Sequence, residues 1–399
     1  MKHLENNNLL YEYQHGFRHN RSCETQLVSF INDLAKSYDN GKQTDVILMD
    51  IAKAFDTVPH NRLRHKLQWY GIIGNTYQWI SSFLSDRHQK VVIDNVSSDS
   101  VPVVSGVPQG TVLGPILFII YMNDVIENIK HSKIRLFADD IILYKEITTL
   151  RDAQQLQEDL ESLQLWEGTW LLKFSIPKCH VLKITRAIKH KIAYDYYLHN
   201  SPLGVVDSCK YLGVTIQHDL RWSEHIHNIT VKANRTLSFL RRNLKLNNQH
   251  LKETAYFSLV RPQLEYACAV WSPWQRTDVQ SLEKINRRAA RFVTSIYHRT
   301  GSVSNMIDQL GWQDLETRRQ NSRLFLLFKI IHNQSCIPLT DMTPPTIITS
   351  STTSTRSDIN NLSVPFARTD TYKFSFGPHA CNIWNNLPSH IKEVTSIDT

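Results

Sequence analysis

Cysteine is scarce in this sequence, and its spacing argues against two classes of protein. The six cysteines of the 399-residue chain are widely separated, and no two of them form a CxxC pair. A zinc ribbon needs closely spaced cysteine pairs, and disulfide-stapled proteins carry a much higher density of cysteine. The pattern supports neither class, and it indicates an intracellular, reducing compartment.

Long apolar runs are also absent. The longest candidate, from Val112 to Met122, is interrupted and falls short of the roughly 18 apolar residues that a membrane-spanning helix needs. The first residues, MKHLENNNLLYEY, lack the apolar core of a secretory signal peptide. We therefore expect a soluble protein with no membrane partner, located in the nucleus, the cytoplasm or both.

An excess of one charge is confined to one part of the chain. The formal net charge is +8 at pH 7, and the segment from Asp219 to Thr300 contains fourteen Lys and Arg residues but six Asp and Glu residues. This segment therefore accounts for the whole positive surplus. A local basic surface is typical of nucleic-acid binding, although a solvated helical face can have the same composition.

The most informative pattern is KIRLFADDIILYKEI, from Lys133 to Ile147. Two β-prone apolar runs flank Asp139 and Asp140, which predicts a β-hairpin with both carboxylates at its tip. Two such ligands, joined by a third carboxylate, can hold two Mg²⁺ ions roughly 3.5–4 Å apart for attack on a phosphorus atom. Acidic residues are also common in ordinary turns, so the hairpin alone leaves catalysis open.

A third carboxylate comes from the run DVILMDI, which predicts a buried strand from Asp45 to Ile51. Asp50 closes this strand, and because an unpaired buried charge is costly, it must reach solvent or a cation. Asp56 follows six residues later and could be a further ligand. Its distance from the strand end fits a helix cap or a salt bridge better.

Two glycine-containing loops offer backbone donors. The loop QHGFRHNRS opens a predicted helix over 23–40, and its helix start, together with Arg18 and Arg21, suits a phosphate group. The loop SGVPQGT leads into a predicted apolar helix over 112–129 and would let a base or sugar lie close to the backbone. A solvated loop and an ordinary strand-to-helix turn also explain these two patterns.

The rest of the pattern predicts the class of fold. Further strands are predicted at 89–94, 101–104, 180–184 and 211–216, and further helices after Pro59 and at 77–84, 149–166, 224–244, 251–266, 278–296 and 315–333. Because strands and helices alternate without the regular repeat of a parallel α/β barrel, we predict an α+β protein with a palm-like sheet. A segment rich in Thr, Ser and Pro predicts a linker, and the aromatic tail after it predicts a small packed element.

Six motifs follow one another in order: QHGFRHNRS, DVILMDIAKAFDTVPH, SGVPQGTVLGPILF, FADDIILY, FSIPKCHVLKI and YLGVTI. The ordered set, from about Gln14 to Ile216, resembles the reverse transcriptases of non-LTR retrotransposons of the jockey-like LINE type. The later LVRPQLEYACAVWSPW, the basic helix and the tail around ACNIWNNLP are similar to the region downstream of the polymerase in those elements. The resemblance covers nearly the whole chain, and the set is far more specific than FADD alone.

The resemblance implies roles for the matching positions. Asp50, Asp139 and Asp140 match the catalytic triad that binds two Mg²⁺ ions, for which Mn²⁺ can substitute. Phe55 matches the residue that packs under the sugar of the incoming nucleotide and excludes a 2′-OH. The other positions that match nucleotide contacts are Gln109, Gly110, Lys178, Arg18 and Arg21. The positions that match the grip on the primer end are Tyr211, Leu212 and Gly213.

The resemblance also implies a right-hand polymerase. Partial fingers and palm are expected over 1–218, a helical basic thumb over 219–337, a linker over 338–362 and a C-terminal element over 363–399. The nucleic-acid-binding residues of the thumb are expected on its basic helix, at Lys284, Arg287, Arg288 and Arg291.

The implied function is RNA-directed DNA synthesis, in which a DNA 3′-OH is extended on an RNA template. The implied partners are the RNA template, the DNA primer, dNTPs and an RNA-binding protein encoded by the same element. This sequence does not contain the family's upstream fingers motif, with its RPISL-like run, or an endonuclease. The alternative is therefore a truncated, catalytically weak or inactive remnant that still binds nucleic acid.

Overall fold

The computed structural model describes residues 1–187, 191–245, 248–298, 300–344, 360–394 and 396. Its helices are α1 (Lys2–Asn6), α2 (Cys23–Asp39), α3 (Ala54–Thr57), α4 (His60–Trp69), α5 (Gly74–Leu84), α6 (Leu113–Met122), α7 (Leu150–Trp170), α8 (Ser223–Asn243), α9 (Gln249–Leu259), α10 (Arg261–Glu265), α11 (Cys268–Trp271), α12 (Arg276–Thr294), α13 (Val303–Gln309), α14 (Leu315–Ile331), α15 (Leu339–Met342), α16 (Asp370–Lys373), α17 (Phe376–Asn385) and α18 (Ser389–Lys392). None of these described helices is long and apolar enough to cross a membrane.

The strands are β1 (Gln43–Met49), β2 (His88–Gln89), β3 (Val92–Ile93), β4 (Val96–Ser97), β5 (Val101–Pro102), β6 (Lys133–Phe137), β7 (Asp140–Ile147), β8 (His180–Ile184), β9 (Tyr197–Leu198), β10 (Ser201–Pro202), β11 (Gly204–Val206), β12 (Ser208–Tyr211) and β13 (Val214–Gln217). Two short 3₁₀ helices cover Asn123–Ile126 and Ile176–Lys178.

The chain divides into two compact units. The first contains Met1–Ser22 and Lys42–Asp207, and the second contains Cys23–Gly41 and Ser208–Thr399. Helix α2 therefore belongs to the second unit, although the segments before and after it in the sequence belong to the first. Residues 345–359, which make up most of the predicted linker, lie outside the described part of the chain.

The first unit is built on a five-stranded sheet in the order β11-β8-β1-β7-β6. Strand β1 pairs antiparallel with both β7 and β8, β6 pairs antiparallel with β7, and β11 joins β8 in parallel. All seven residues of β1 are buried, as expected for an aliphatic strand in the middle of a sheet. This largely antiparallel sheet, combined with helices, confirms the predicted α+β class and its palm-like sheet.

Helices α6 and α7 pack into the core of the first unit. The six residues of α6 from Leu117 to Met122 are almost completely buried. Helix α7 buries leucines at helical spacing, Leu156, Leu160 and Leu163, and it begins with a capping box at Thr149. These helices support the sheet from which the acidic hairpin projects.

Two predictions for the first unit are wrong in detail. The predicted pair of long strands at 89–94 and 101–104 is instead two pairings of two residues each, β2 with β5 and β3 with β4. The valines and isoleucine of this segment are exposed, apart from the half-buried Val103, so no buried face extends the pairing. The predicted helix over 112–129 ends at Met122 and continues as a 3₁₀ turn, in which Asn123 bonds to the backbone of Leu9 and Tyr11.

The second unit is mainly helical. Helix α8 packs on α12, α14 packs on α11 and α17, and α2 packs on α11 and α16. In the aromatic tail, α16 and α17 bury Tyr372, Phe376 and Trp384. The buried carboxylate of Asp39, at the end of α2, accepts hydrogen bonds from the backbone N–H groups of Arg368 and Thr369. Helix α2 therefore anchors the C-terminal helices.

Two predictions for the second unit also need correction. The predicted strand over 211–216 is a hairpin, β12 and β13, with Leu212 and Gly213 as its turn. Both turn residues have positive φ, 44° and 84°, as a tight hairpin turn requires. The predicted helix over 251–266 breaks near Val260, because Pro262 lacks the N–H group that a continuous helix would need.

Candidate active site

Three acidic residues lie at one end of the central strands. Asp50 directly follows β1, and the antiparallel register pairs Met49 with Ile141 of β7. One further step in this register brings Asp50 opposite Asp140, the first residue of β7. The sheet therefore brings the predicted third acid to the acidic hairpin, which neither segment could do alone.

The hairpin tip is a tight two-residue turn. Strands β6 and β7 are paired up to Phe137 and Asp140, so Ala138 and Asp139 form the turn itself. Ala138 has φ of 55°, the left-handed region that non-glycine residues seldom occupy. Such a conformation costs about 1–2 kcal/mol for an alanine, so surrounding contacts must hold it.

The acids at this tip repel one another. Burial raises the pKa of Asp140 to about 6, and the negative charges of Asp139 and Asp50 push it in the same direction. The pKa of Asp139 is also raised, by burial first and then by the charge of Asp50. Lys178 opposes both shifts. The site therefore favours binding of a cation.

Lys178 supplies positive charge to this site. The segment before it runs beside Asp50, because the Ser175 N–H donates to the Asp50 carbonyl oxygen over 2.8 Å. Lys178 Nζ then lies 2.6 Å from Asp50 Oδ2. This hydrogen bond and the charge of Asp50 raise the pKa of Lys178. The structure thus brings Lys178, for which the resemblance implies nucleotide binding, to the acidic site.

The residues at this site suit a divalent cation in their chemistry. Carboxylate oxygens are the hard ligands that Mg²⁺ and Mn²⁺ prefer, and burial, followed by the charges of neighbouring carboxylates, raises the pKa of both Asp139 and Asp140. Among the described residues, no three His, Cys, Asp or Glu side chains are already arranged as a metal site. In this structure, the Lys178 ammonium is the cation that balances Asp50.

Phe55 forms part of an aromatic cluster. Its ring stacks on that of Phe118, with centroids 4.3 Å apart and planes 18° apart, and meets the edge of Phe17 at 6.3 Å. Phe118 is fully buried, whereas Phe55 is partly exposed. Phe55 therefore rests on the core and stays partly accessible to solvent.

The SGVPQG loop lies against the segment that carries Phe55. The Val107 N–H donates to the Phe55 carbonyl oxygen over 2.7 Å, and Gln109 Nε2 donates to Asp56 Oδ1 over 2.9 Å. Gly106 has φ of 89°, and a Cβ there would lie 2.8 Å from the Asp56 carbonyl oxygen, so this close approach requires glycine. The loop leaves Gln109 and Gly110 exposed beside Phe55.

The two predicted phosphate-binding arginines are engaged within the N-terminal segment. Arg18 makes a bidentate ion pair with Glu5 at 2.9 and 3.0 Å and donates to the Tyr11 carbonyl oxygen. Arg21 donates to the Glu12 carbonyl oxygen over 2.6 Å. These contacts give Arg18 a structural role here, and nucleotide binding by both arginines stays a prediction.

One residue at this site is missed by the sequence analysis. Gln14 Oε1 accepts hydrogen bonds from the backbone N–H groups of Ala138, at 3.0 Å, and Gly16, at 2.8 Å. The nearby Gly16 is the signal that could have revealed it, because a glycine beside a polar residue often marks a close approach of two backbones.

In the second unit, the predicted primer-grip residues lie at the turn between β12 and β13. Tyr211 is buried in β12, and Leu212 and Gly213 form the turn. Tyr266 donates its hydroxyl hydrogen to the Leu212 carbonyl oxygen over 3.0 Å, and a Cβ at Gly213 would lie 2.9 Å from the Tyr266 ring. Contacts with Tyr266, which belongs to the same unit, therefore hold the turn in its conformation.

The predicted nucleic-acid-binding residues share one face of α12. Their spacing of three, four and seven residues aligns them on a surface that we call the basic stripe, formed by Lys284, Arg287, Arg288 and Arg291. The first three are exposed and the last is partly exposed, whereas the opposite face of the helix is buried. Arg288 is oriented by a 2.8 Å hydrogen bond to Asn234 of α8.

An antiparallel sheet that carries acids after its central strand and at an adjacent hairpin tip is the arrangement of a polymerase palm. Residues 1–216 match the family model described as reverse transcriptase (RNA-dependent DNA polymerase). The chain therefore belongs to the reverse transcriptase family. Enzymes of this family generally use divalent metal ions.

Curated relatives include proteins from non-LTR transposons of Drosophila melanogaster. The probable RNA-directed DNA polymerase from transposon X-element is 24% identical over 77% of this chain and 35% of its own length. The probable RNA-directed DNA polymerase from transposon BS is 26% identical over 79% of this chain and 36% of its own length. The RNA-directed DNA polymerase from mobile element jockey is 28% identical over 73% of this chain and 33% of its own length. The resemblance seen in the sequence is confirmed, and the chain spans about a third of the length of these relatives.

Solved structures similar to this chain include apo telomerase from Candida tropicalis. The match has a TM-score of 0.46 at 12% identity and covers 77% of this chain and 50% of that chain.

Proposed function

We propose that this chain is the polymerase part of a non-LTR retrotransposon reverse transcriptase, which extends a DNA 3′-OH on an RNA template with dNTPs. The observation that carries the proposal is the meeting of Asp50 with the Asp139–Asp140 hairpin, inside the region that matches the family. The raised pKa of Asp140 supports it, because a carboxylate that is buried and lies near two other carboxylates is stabilised by a bound cation.

Asp50, Asp139 and Asp140 would hold the metal, as two Mg²⁺ ions or Mn²⁺ in their place. Bound there, the ions would favour the attacking 3′-alkoxide and neutralise the leaving pyrophosphate. The Lys178 ammonium would then move from Asp50 to the phosphates, because this side chain is exposed and flexible. Asp56 fits better as the partner of Gln109 than as a ligand.

The other proposed contacts follow from the surfaces described above. Phe55 would lie under the sugar, with Gln109 and Gly110 beside the nucleotide and its template base. The β12–β13 turn would bind the primer end, and the basic stripe would bind phosphates without reading sequence. We also propose the four domains expected from the sequence, an RNA-binding protein of the same element as partner, and a nuclear or cytoplasmic location, which the wide spacing of the six cysteines supports.

The test is extension of a labelled DNA primer on an RNA template by the purified chain. The chain should be assayed both alone and as a fusion, in which it follows the segment that precedes the matched region in the X-element polymerase. Asp50→Asn, Asp139→Asn and Asp140→Asn should each abolish extension, because each removes a charged ligand while preserving side-chain volume.

The matched control is Asp56→Asn, which removes a nearby carboxylate charge but keeps an oxygen to accept from Gln109. It should retain most of the activity. Near-wild-type extension by Asp139→Asn would refute the metal-site assignment. Primer–template binding without extension in either form would instead indicate the non-catalytic remnant.

A further inference from the structure

The hairpin that carries Asp139 and Asp140 is contacted along β6 by a segment from the other end of the first unit. The Leu136 N–H donates to the Tyr13 carbonyl oxygen over 3.0 Å, and the His15 N–H donates to the Leu136 carbonyl oxygen over 2.9 Å. Residues 13–16, which we call the N-terminal brace, therefore extend the sheet by one short parallel bridge. The brace ends beside the turn.

Gln14 reaches from this brace to the strained residue of the turn. Its Oε1 accepts the Ala138 N–H, and Ala138 is the residue with left-handed backbone. The same oxygen accepts the Gly16 N–H, so two backbone donors converge on it and identify that end of the amide as the oxygen. One side chain thus ties the brace to the turn.

The fit around this contact is tight. A Cβ at Gly16 would lie 2.5 Å from the Ala138 nitrogen, so no other residue could occupy this position without moving the turn. Gln14 is 1% exposed, and its Nε2 is buried with no hydrogen-bond partner among the described residues. A buried amide that leaves a donor unsatisfied is costly. This cost is offset if the Oε1 end of the amide holds the backbone in a way that an apolar side chain could not.

We propose that Gln14 is a positioning residue, which holds Ala138 in its left-handed conformation and so sets the direction in which Asp139 and Asp140 point. The proposal rests on the metal site proposed above and adds the group that orients its ligands. Side chains that orient metal ligands without touching the metal commonly change metal affinity roughly 10- to 100-fold when they are replaced.

The test compares Gln14→Met with a matched control, Gln157→Met. Gln157 is also a buried glutamine of the first unit, and it bridges the backbone N–H and carbonyl of Tyr197 at 2.9 and 3.0 Å, on the separate helix α7. Both changes remove a buried amide that binds backbone, and methionine keeps the length of the side chain. Mn²⁺ binding by electron paramagnetic resonance and hydrogen exchange of the 133–147 peptide are measured on the full chain.

Gln14→Met should weaken Mn²⁺ binding about tenfold and accelerate exchange of the hairpin peptide. Gln157→Met should change Mn²⁺ affinity less than about twofold, as expected for a site with no shared partner. Ala138→Gly, added to Gln14→Met, should recover part of the lost affinity, because glycine adopts positive φ without strain. The same glycine added to Gln157→Met should recover nothing.

Equal Mn²⁺ affinity and equal exchange in the two methionine variants would overturn the proposal. Absence of Mn²⁺ binding in the wild-type chain would refute the proposed metal site itself. In that case, hairpin exchange unchanged by Gln14→Met would by itself refute the role of Gln14 in the turn, and accelerated exchange would support it.

Discussion

Replacement of Phe55 by valine should relax selection against ribonucleotides and also reduce stability. If the exposed part of this ring occupies the space that a 2′-OH would need, valine opens that space. A change in a small steric pocket alters discrimination by about 1–3 kcal/mol, or roughly 10- to 200-fold. The measurement is single-nucleotide insertion with rNTP and dNTP, expressed as the ratio of their kcat/KM values.

The cost in stability can be worked out from the contacts of Phe55. Valine has four fewer carbons, which at ~0.8 kcal/mol per buried carbon and about half burial amounts to roughly 1.5 kcal/mol. Loss of the ring stack on Phe118, 4.3 Å away, adds about 1 kcal/mol. We therefore expect a total loss of about 2–3 kcal/mol in the free energy of unfolding, measured by chemical denaturation.

Phe118→Leu separates the two effects. It breaks the same ring stack and removes three fully buried carbons, so it should destabilise the protein by about 3 kcal/mol. Because Phe118 is fully buried, it cannot contact a nucleotide, and the rNTP/dNTP ratio should not change. An equal change of the ratio in both variants, or in neither, would show that Phe55 is only a packing residue.

Three further predictions test other parts of the chain. Changing the arginines of the basic stripe to glutamine should lower the salt slope of duplex binding by about 0.9 for each lost phosphate contact, and an unchanged slope would mean that the stripe does not contact nucleic acid. Lys178→Met should tighten Mn²⁺ binding modestly, up to about fivefold, because the ammonium competes for Asp50; weaker binding would contradict this. The third prediction concerns His225, whose Nδ1 accepts the Thr215 N–H and whose pKa burial lowers to about 4. Below pH 6.5 the unfolded chain binds a proton that the folded chain does not, so stability should fall by about 1 kcal/mol between about pH 6.5 and 5.5 through this group; an identical loss in His225→Phe would refute its role.

The acidic hairpin could be predicted from sequence because it is a local structure. Two β-prone runs around Asp139 and Asp140 determine the pairing through the turn that joins them, and the observed strands β6 and β7 agree. Both ends of α2 and the start of α7 agree with the prediction to within one residue, since capping and periodicity depend on residues a few positions apart, whereas α7 continues to Trp170, beyond the predicted end at Trp166. The resemblance to non-LTR reverse transcriptases rested on motifs of the same local kind.

Errors arose where tertiary contacts outweigh local pattern. The run at 211–216 has the composition of a strand, yet it folds back at Leu212 and Gly213, with Tyr266 against the turn. The apolar run over 112–129 stops being α-helical at Met122, where Asn123 bonds to the N-terminal segment. In each case, the deciding partner is more than 50 residues away in sequence.

The family and the α+β class could be read from the order of residues, which also gave the three acids of the proposed site. The groups that surround those acids depend on the folded chain. The register of β1 against β7 brings Asp50 opposite Asp140, the segment after Lys173 carries Lys178 to Asp50, and Gln14 reaches Ala138 across 124 residues of sequence. These contacts depend on the packing of segments that are distant in sequence. Periodicity and spacing could not predict them, because such patterns indicate only local structure.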